Sequence, residues 1–156
     1  MLERARAAVP QARFHQGDLR ALDEPDASFD LVVSGLALAH LPDLGSGVAE
    51  LARVLKPGGR LVVSVLHPFQ ALLGWHAPFT GADGRRGFVR EHPHTHADHL
   101  AAFRATGLEL RDCAEPLLTL DEERTKRRAN EHVPEATAAA YVGLPGVLVW
   151  AAEKPC

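Results

Sequence analysis

Cysteine is scarce in this chain: Cys113 and Cys156 are the only two in 156 residues, too few for a disulfide framework and without metal-ligand spacing. A reducing cytoplasm is therefore the expected setting. No apolar run reaches membrane-spanning length, and Met1-Leu2-Glu3-Arg4 lacks the hydrophobic region of a signal peptide. An excess of positive charge is also absent. The formal net charge of −3 gives no electrostatic case for nucleic acid, which calls for a basic face. The run Arg124-Thr125-Lys126-Arg127-Arg128 sits beside Asp121, Glu122 and Glu123, and reads as a solvated helix face. Internal repeats and low-complexity tracts are missing as well. What remains is 46% apolar and 24% charged, the composition of one globular domain spanning 1–156.

The order of local patterns indicates an α/β fold. Leu2 to Ala8 reads as a short helix stopped by Pro10, and Ala12 to Gln16 as a brief strand ending at Gly17-Asp18. Phe29 to Ser34 is a near-continuous apolar run, the pattern of a strand buried on both faces within a parallel sheet. Val48, Leu51, Ala52 and Leu55 follow at helical spacing, so 47–56 is expected to be an amphipathic helix ended by Pro57-Gly58-Gly59. Leu61 to Leu66 is then a second buried strand, which completes a βαβ unit. The segment 69–93 reads as irregular, a lid or substrate loop by its length. A helix over 97–106 capped by Gly107, a strand over 108–114, a charged helical stretch over 120–141 broken at Pro134, and a closing strand over 147–152 complete the pattern.

Two stretches carry a more specific message. Ser28-Phe29-Asp30-Leu31-Val32-Val33-Ser34-Gly35 leads to Ala39-His40-Leu41-Pro42-Asp43, and Leu51-Ala52-Arg53-Val54-Leu55-Lys56-Pro57-Gly58-Gly59-Arg60-Leu61-Val62-Val63-Ser64 follows. Together they resemble the second half of the nucleotide-binding core of class I S-adenosylmethionine-dependent methyltransferases, in the type 11 style. Met1-Leu2-Glu3-Arg4-Ala5-Arg6 is similar to the helix after that family's second strand. The resemblance is close to about Pro68 and looser to Ala152. It implies a partial Rossmann-like sheet with flanking helices, lacking the first two strands and the Asp/Glu-x-Gly-x-Gly-x-Gly loop.

The same resemblance implies S-adenosylmethionine as cofactor and a small-molecule methyl acceptor, with no membrane partner. Asp18 would accept from the adenine amino group and the Leu19 N–H would address a ring nitrogen. Ser34 and Gly35 lie at a strand's carboxyl end, where such sheets bind ligands, and the backbone at Gly35 would approach the methionine end. Glycine there also suits a turn. His40 would stand at the mouth of the site. Methyl transfer needs little machinery beyond alignment, so no catalytic residue is assigned, although His40, His67 and His76 are the histidines considered as bases. Trp75, Phe79 and Phe88 either line an acceptor pocket or cover the sheet.

In the family's strand order, 3-2-1-4-5-7-6, omitting strands 1 and 2 bares one edge of the Phe29–Ser34 strand. Three outcomes are then open: Ala12–Gln16 pairs with that strand, two chains pair there as a homodimer, or the domain is loose. Cofactor binding by this chain alone is expected to be weak or absent. A start codon assigned too far downstream, a genomic truncation and a split protein each account for such a chain. Two other functions compete with methyl transfer. One is a non-catalytic remnant or dimerisation module. The other is a zinc hydrolase built on His94-Thr95-His96-Ala97-Asp98-His99, which matches the His-x-His-x-Asp-His spacing of metallo-β-lactamase-type enzymes. Only His132 follows as a further histidine, so the expectation is that the chain holds no metal.

Overall fold

A computed structural model describes residues 2–74, 76–124 and 133–156. The first helix, α1, runs Leu2–Ala8, and the first strand, β1, runs Phe29–Gly35. A 3₁₀ turn at Leu38–His40 leads to α2, Leu44–Val54, and β2, Leu55–Leu66. Next come α3 (Pro68–Leu72), the hairpin of β3 (Pro78–Thr80) and β4 (Arg86–Phe88), and α4 (His96–Ala105). The chain closes with β5 (Glu109–Ala114), α5 (Leu120–Arg124), α6 (Pro134–Tyr141) and β6 (Val147–Glu153). The middle of the expected 120–141 helical stretch, with His132, lies outside the described residues, as does Trp75.

The main sheet has the order β1-β2-β6-β5, with β1 and β2 parallel and the other pairings antiparallel. That order reproduces the 4-5-7-6 end of the strand series implied by the resemblance. The parallel pair is joined through α2, which forms because Asp43 accepts from the Gly45 and Ser46 N–H groups at its start. Gly47 lets that first turn sit close to the 3₁₀ turn: a Cβ there would lie 2.5 Å from Leu41 Cδ1 and 2.8 Å from Leu38 Cδ2. The helix ends without the expected glycine stop. Lys154 Nζ donates to the carbonyls of Ala52 and Leu55, each at 2.9 Å, a cation on the orphan acceptors at the negative helix end.

Pro57-Gly58-Gly59 does not terminate α2 but lies inside β2, as a local widening of the sheet. Between the pairs Phe29↔Leu55 and Leu31↔Arg60, one residue of β1 faces four of β2. Gly58 takes φ +74°, and Gly59 packs against backbone oxygens of Lys56 and Asp30 so closely that a Cβ would meet them at 2.8 and 3.2 Å. These two positions require glycine for conformation and for space respectively. Lys56 then pairs with Asp30 across the widening, Nζ to Oδ2 at 2.9 Å.

The register places Val32 and Ser34 on the same face as Leu61, Val63 and Val65, and as Leu148, Trp150 and Ala152. This face receives α2 and α4, and with Leu44, Val48, Leu51 and Phe103 it forms the core. Burying each large member contributes about 1.5–3 kcal/mol before entropy is charged. The opposite face differs. Leu31 is 56% exposed and Val33 66%, so β1 is not buried on both sides as its apolar run suggested. β2 alternates between fully and partly buried positions for the same reason.

Ala12–Gln16 is not a strand: among the described residues this segment has no ladder partner, and the nearest ladder element is an isolated bridge between Asp18 and Ala21. A strand exists only through its partner, and none lies beside this segment. The outer edge of β1 likewise has no partner among the described residues, so of the three expected outcomes the segment's transfer to that edge does not occur. The 69–93 stretch is more ordered than its composition suggested, since α3 and the β3–β4 hairpin occupy it. No helix among the described residues is long and apolar enough to cross a membrane.

Candidate functional site at the carboxyl edge of the sheet

The ends of β1 and β2 bring Ser34, Gly35, Leu36 and Leu66 to one edge. Ser34 is buried, and its hydroxyl has no hydrogen-bond partner among the described residues. Gly35 has open space beside it: the nearest atom to where a Cβ would stand is Ser64 Oγ at 4.0 Å, and its φ is not positive. The turn does not explain glycine here. The left-handed residue is Leu36, at φ +55°, a conformation that disfavours a non-glycine residue by about 1–2 kcal/mol. Its N–H donates to the Ser64 carbonyl at 2.8 Å, which holds the turn in place. The two residues end the strand on opposite faces, Ser34 directed into the covered face and Gly35 toward the open one, at the carboxyl end where such sheets bind ligands.

Asp18 is differently placed. Its carboxylate accepts from the Arg20 backbone N–H at 2.9 Å and from the Arg20 guanidinium at 3.0 and 2.7 Å. These bonds hold the Asp18 pKa down at about 2, so it is ionised and already engaged. Leu19 packs against the core cluster, which anchors the loop. Further on, Glu50 accepts from the Leu22 N–H at 2.7 Å, and Arg53 returns a bond to the Leu22 carbonyl at 3.1 Å. Glu50 and Arg53 are joined at 2.7 Å, so α2 grips the loop that carries Asp18. The Arg53 guanidinium beside Glu50 holds that carboxyl below its ordinary value.

The six histidine-motif residues do not converge on a metal. His94 Nε2 meets the Leu41 carbonyl at 2.8 Å, and His99 Nδ1 donates to the Thr95 carbonyl at 2.9 Å. Asp98 closes a capping box with Thr95, its Oδ2 accepting from the Thr95 N–H at 2.7 Å. His99 is buried against Trp150, with ring centroids 6.1 Å apart, and burial pushes its pKa down. The motif is the start of a helix.

His96 instead joins His67 around Glu115, whose Oε1 lies 2.7 Å from His96 Nε2 and 3.0 Å from His67 Nε2. The two rings meet edge to face at 5.4 Å. Among the described residues these three form the one cluster whose ligand atoms lie close enough for a metal ion, within 4.8 Å of one another. The hydrogen bonds argue for a different role. The Phe69 N–H donates to His67 Nδ1 at 3.2 Å, so a neutral His67 carries its proton on Nε2, where a metal would need a lone pair. The cluster is a clasp in which one carboxylate ties the β2–α3 junction to the start of α4, and the two histidines hold the Glu115 pKa down. Glu115 escaped the sequence reading because a lone acid before a proline has no spacing that marks it.

A cavity of about 330 Å³ opens beside this edge, lined by Leu36, Ala39, His40, Leu66, His76, Ala77, Glu91 and Val147. His40 is among these lining residues, with Nδ1 donating to the Arg90 carbonyl at 3.1 Å. His76 lines the cavity and stacks on Phe88 at 5.1 Å. Phe79 and Phe88 are themselves exposed, and neither covers the sheet.

With this geometry in place, the likenesses to known proteins acquire residue-level meaning. A "Methyltransferase domain" family model matches residues 1–63. The demethylmenaquinone methyltransferase of Deinococcus radiodurans is 44% identical over 69 residues, 43% of this chain and 29% of that one. The phosphatidylethanolamine N-methyltransferase of Cereibacter sphaeroides is 33% identical over 118 residues, covering 60% of this chain and 58% of its own length. The matched regions thus span less than two thirds of these curated relatives. The crystal structure of an S-adenosylmethionine-dependent methyltransferase from Mesorhizobium loti superposes with a TM-score of 0.67 at 26% identity, over 98% of this chain and 75% of that one.

Proposed function

We propose that the chain, which is similar to class I S-adenosylmethionine-dependent methyltransferases in sequence and fold, forms part of a site for methyl transfer to a small molecule. The observation that carries this reading is the open strand end at Gly35 next to the 330 Å³ cavity lined by Leu36 and His40. S-Adenosylmethionine, when bound, supplies an electrophilic methyl group on a sulfonium. The chain's own residues orient and shield. Ser34 and Gly35 would hold the methionine end, Asp18 and Leu19 the adenine, and His40 the mouth of the site.

Asp18 must exchange its Arg20 bonds to accept from a base, and the exposed face of β1 offers no cover. Binding by this chain alone is accordingly weak. Nuclear magnetic resonance titration with S-adenosylhomocysteine is expected to move the Leu19, Ser34 and Gly35 amides with a dissociation constant above about 100 μM. Micromolar affinity would overturn the weak-binding part. No change at those amides with about 5 mM ligand would overturn methyl transfer.

The unpaired edge of β1, with Phe29, Leu31 and Val33 beside it, supports a second reading as a module that pairs with another copy. Sedimentation equilibrium decides it. A monomer at all concentrations removes the reading, and a dimer broken by Val33→Lys supports it.

A further inference from the structure

The two ring nitrogens of His67 meet opposite demands. Nδ1 accepts from the Phe69 N–H at 3.2 Å and so caps the first turn of α3. Nε2 stands 3.0 Å from Glu115 Oε1, and an ionised carboxylate can only accept. One form of the ring satisfies both partners, the neutral imidazole with its hydrogen on Nε2 and its lone pair on Nδ1. The residue is buried, and its backbone N–H donates to the Gly146 carbonyl at 3.1 Å, so the ring is held between the two.

Protonation disturbs one side of this arrangement and strengthens the other. The added hydrogen must go on Nδ1, where it meets the hydrogen of the Phe69 N–H. The Nε2 bond to Glu115 gains a full charge at the same moment. Among the described residues the titratable groups facing the ring are Glu115, just after β5, and His96, at the start of α4, whose Nε2 lies 2.7 Å from the same Oε1. The two histidines hold the Glu115 carboxyl below its ordinary value, so it is ionised. A proton on one histidine opposes a proton on the other, since they share one carboxylate. Cys113 on β5 has its thiol pushed up by burial and by Glu115, and stays uncharged. Burial likewise favours the neutral form of His99, which feels His96. The end of β2 and the whole of α3 carry no charged side chain.

We propose that His67 is a proton-operated latch on α3: the neutral ring caps the helix, and the protonated ring releases the Phe69 N–H while it tightens on Glu115. Histidine is the side chain whose charge changes between about pH 5 and 8, so the latch answers to mild acid. Gln70 Nε2 keeps its bond to the Pro145 carbonyl at 3.0 Å, so α3 frays at its start and stays docked. The consequence reaches the cavity of about 330 Å³. Leu66 precedes α3, His76 and Ala77 follow it, and all three line that cavity. Release of the first turn therefore loosens the tether of the cavity wall, whichever molecule the cavity takes. The latch does not depend on the methyltransferase reading.

The test is a magnetic resonance titration of the intact chain from about pH 8 to about pH 5, in buffer with a metal chelator. At the alkaline end the ring nitrogens of His67 are expected to show a hydrogen on Nε2 alone. On acidification Nδ1 gains its hydrogen and the Phe69 amide shifts with the same midpoint. Exchange of that amide, corrected for the intrinsic effect of pH, is expected to quicken about fivefold, the scale of one lost cap. His67→Asn supplies a cap acceptor that does not titrate, and Phe69 is then expected to keep its shift and its protection throughout. Amide shifts of β1 and β2 that match the unaltered chain show that the variant folds. A hydrogen on Nδ1 at the alkaline end, or a ring still neutral at the acidic end, would overturn the proposal without any variant. So would a Phe69 amide that ignores the protonation of Nδ1, or a response of Phe69 that survives His67→Asn.

Discussion

The two faces of the central sheet carry similar apolar residues and meet different fates. Leu61 and Val63 of β2 are fully buried beneath α2 and α4, whereas Leu31 and Val33 of β1, pointing the other way, are more than half exposed. Both runs read as core in the sequence. The difference lies in what packs above each face, because burial is a property of the partner as much as of the residue.

That contrast is open to direct measurement, and the largest effect belongs to the covered face. Leu61→Ala is expected to destabilise the chain by about 2–5 kcal/mol in urea unfolding, through lost burial and the cavity left behind. Val33→Ala is expected to change stability by no more than about 0.5 kcal/mol. Comparable losses for the two would mean that something covers the β1 face in solution. Repeating the Val33→Ala measurement at lower protein concentration would then identify a second copy as the cover.

Two smaller effects probe how α2 and α4 are set on the covered face. Gly47→Ala forces a methyl group against Leu41 and Leu38, and is expected to cost about 1–3 kcal/mol by overpacking. Thr95→Ala removes the N-cap of α4, with an expected loss of about 1 kcal/mol. If Gly47→Ala were neutral, the 3₁₀ turn would be loosely held, and the cavity bounded by Ala39 and His40 would lose its fixed wall.

The covered face is also the part that the sequence described best. The spacing of Val48, Leu51 and Ala52 marks the core side of α2, and the apolar runs of β1 and β2 mark adjacent parallel strands. These are local patterns with a local cause. The failures involve distant partners. Ala12–Gln16 has a strand's composition and nothing to pair with, so it forms none. Pro57-Gly58-Gly59 reads as a helix stop, yet Lys154, about a hundred residues away, caps the helix and the glycines widen the sheet.

The site divides along the same line. Ser34, Gly35 and His40 sit at the sheet edge because a strand end can be read from the chain, although the turn belongs to Leu36 and not to Gly35. Glu115 gains its role only when loops and strands meet, and a single acid carries no spacing that reveals it. The histidine motif shows the opposite case. Its spacing suggests a metal, but His94, Thr95, His96, Asp98 and His99 are spent on a capping box, two backbone carbonyls and the Glu115 clasp.

The smallest expected effect comes from that clasped corner and separates the two faces by pH. His99 packs on Trp150 within the covered face, and burial lowers its pKa from an ordinary 6.5; the hydrogen bond to the Thr95 carbonyl and, more weakly, Asp98 oppose this, while His94 and His96 reinforce it. The folded chain therefore binds fewer protons than the unfolded chain between the lowered value and 6.5. Stability from this residue is complete above 6.5 and falls as the pH drops toward the lowered value. Glu115 acts in a separate, more acidic window, because its pKa is depressed from 4.5 and its contribution is lost only as the pH falls through the depressed value. Urea midpoints measured from pH 8 to pH 5 should thus decline for the unaltered chain and stay flatter for His99→Leu, which keeps bulk and removes the titrating ring. The Val33→Ala variant should follow the unaltered profile, since the substitution leaves His99 and its surroundings on the covered face untouched. A decline that His99→Leu leaves intact would move the pH sensitivity away from the covered face.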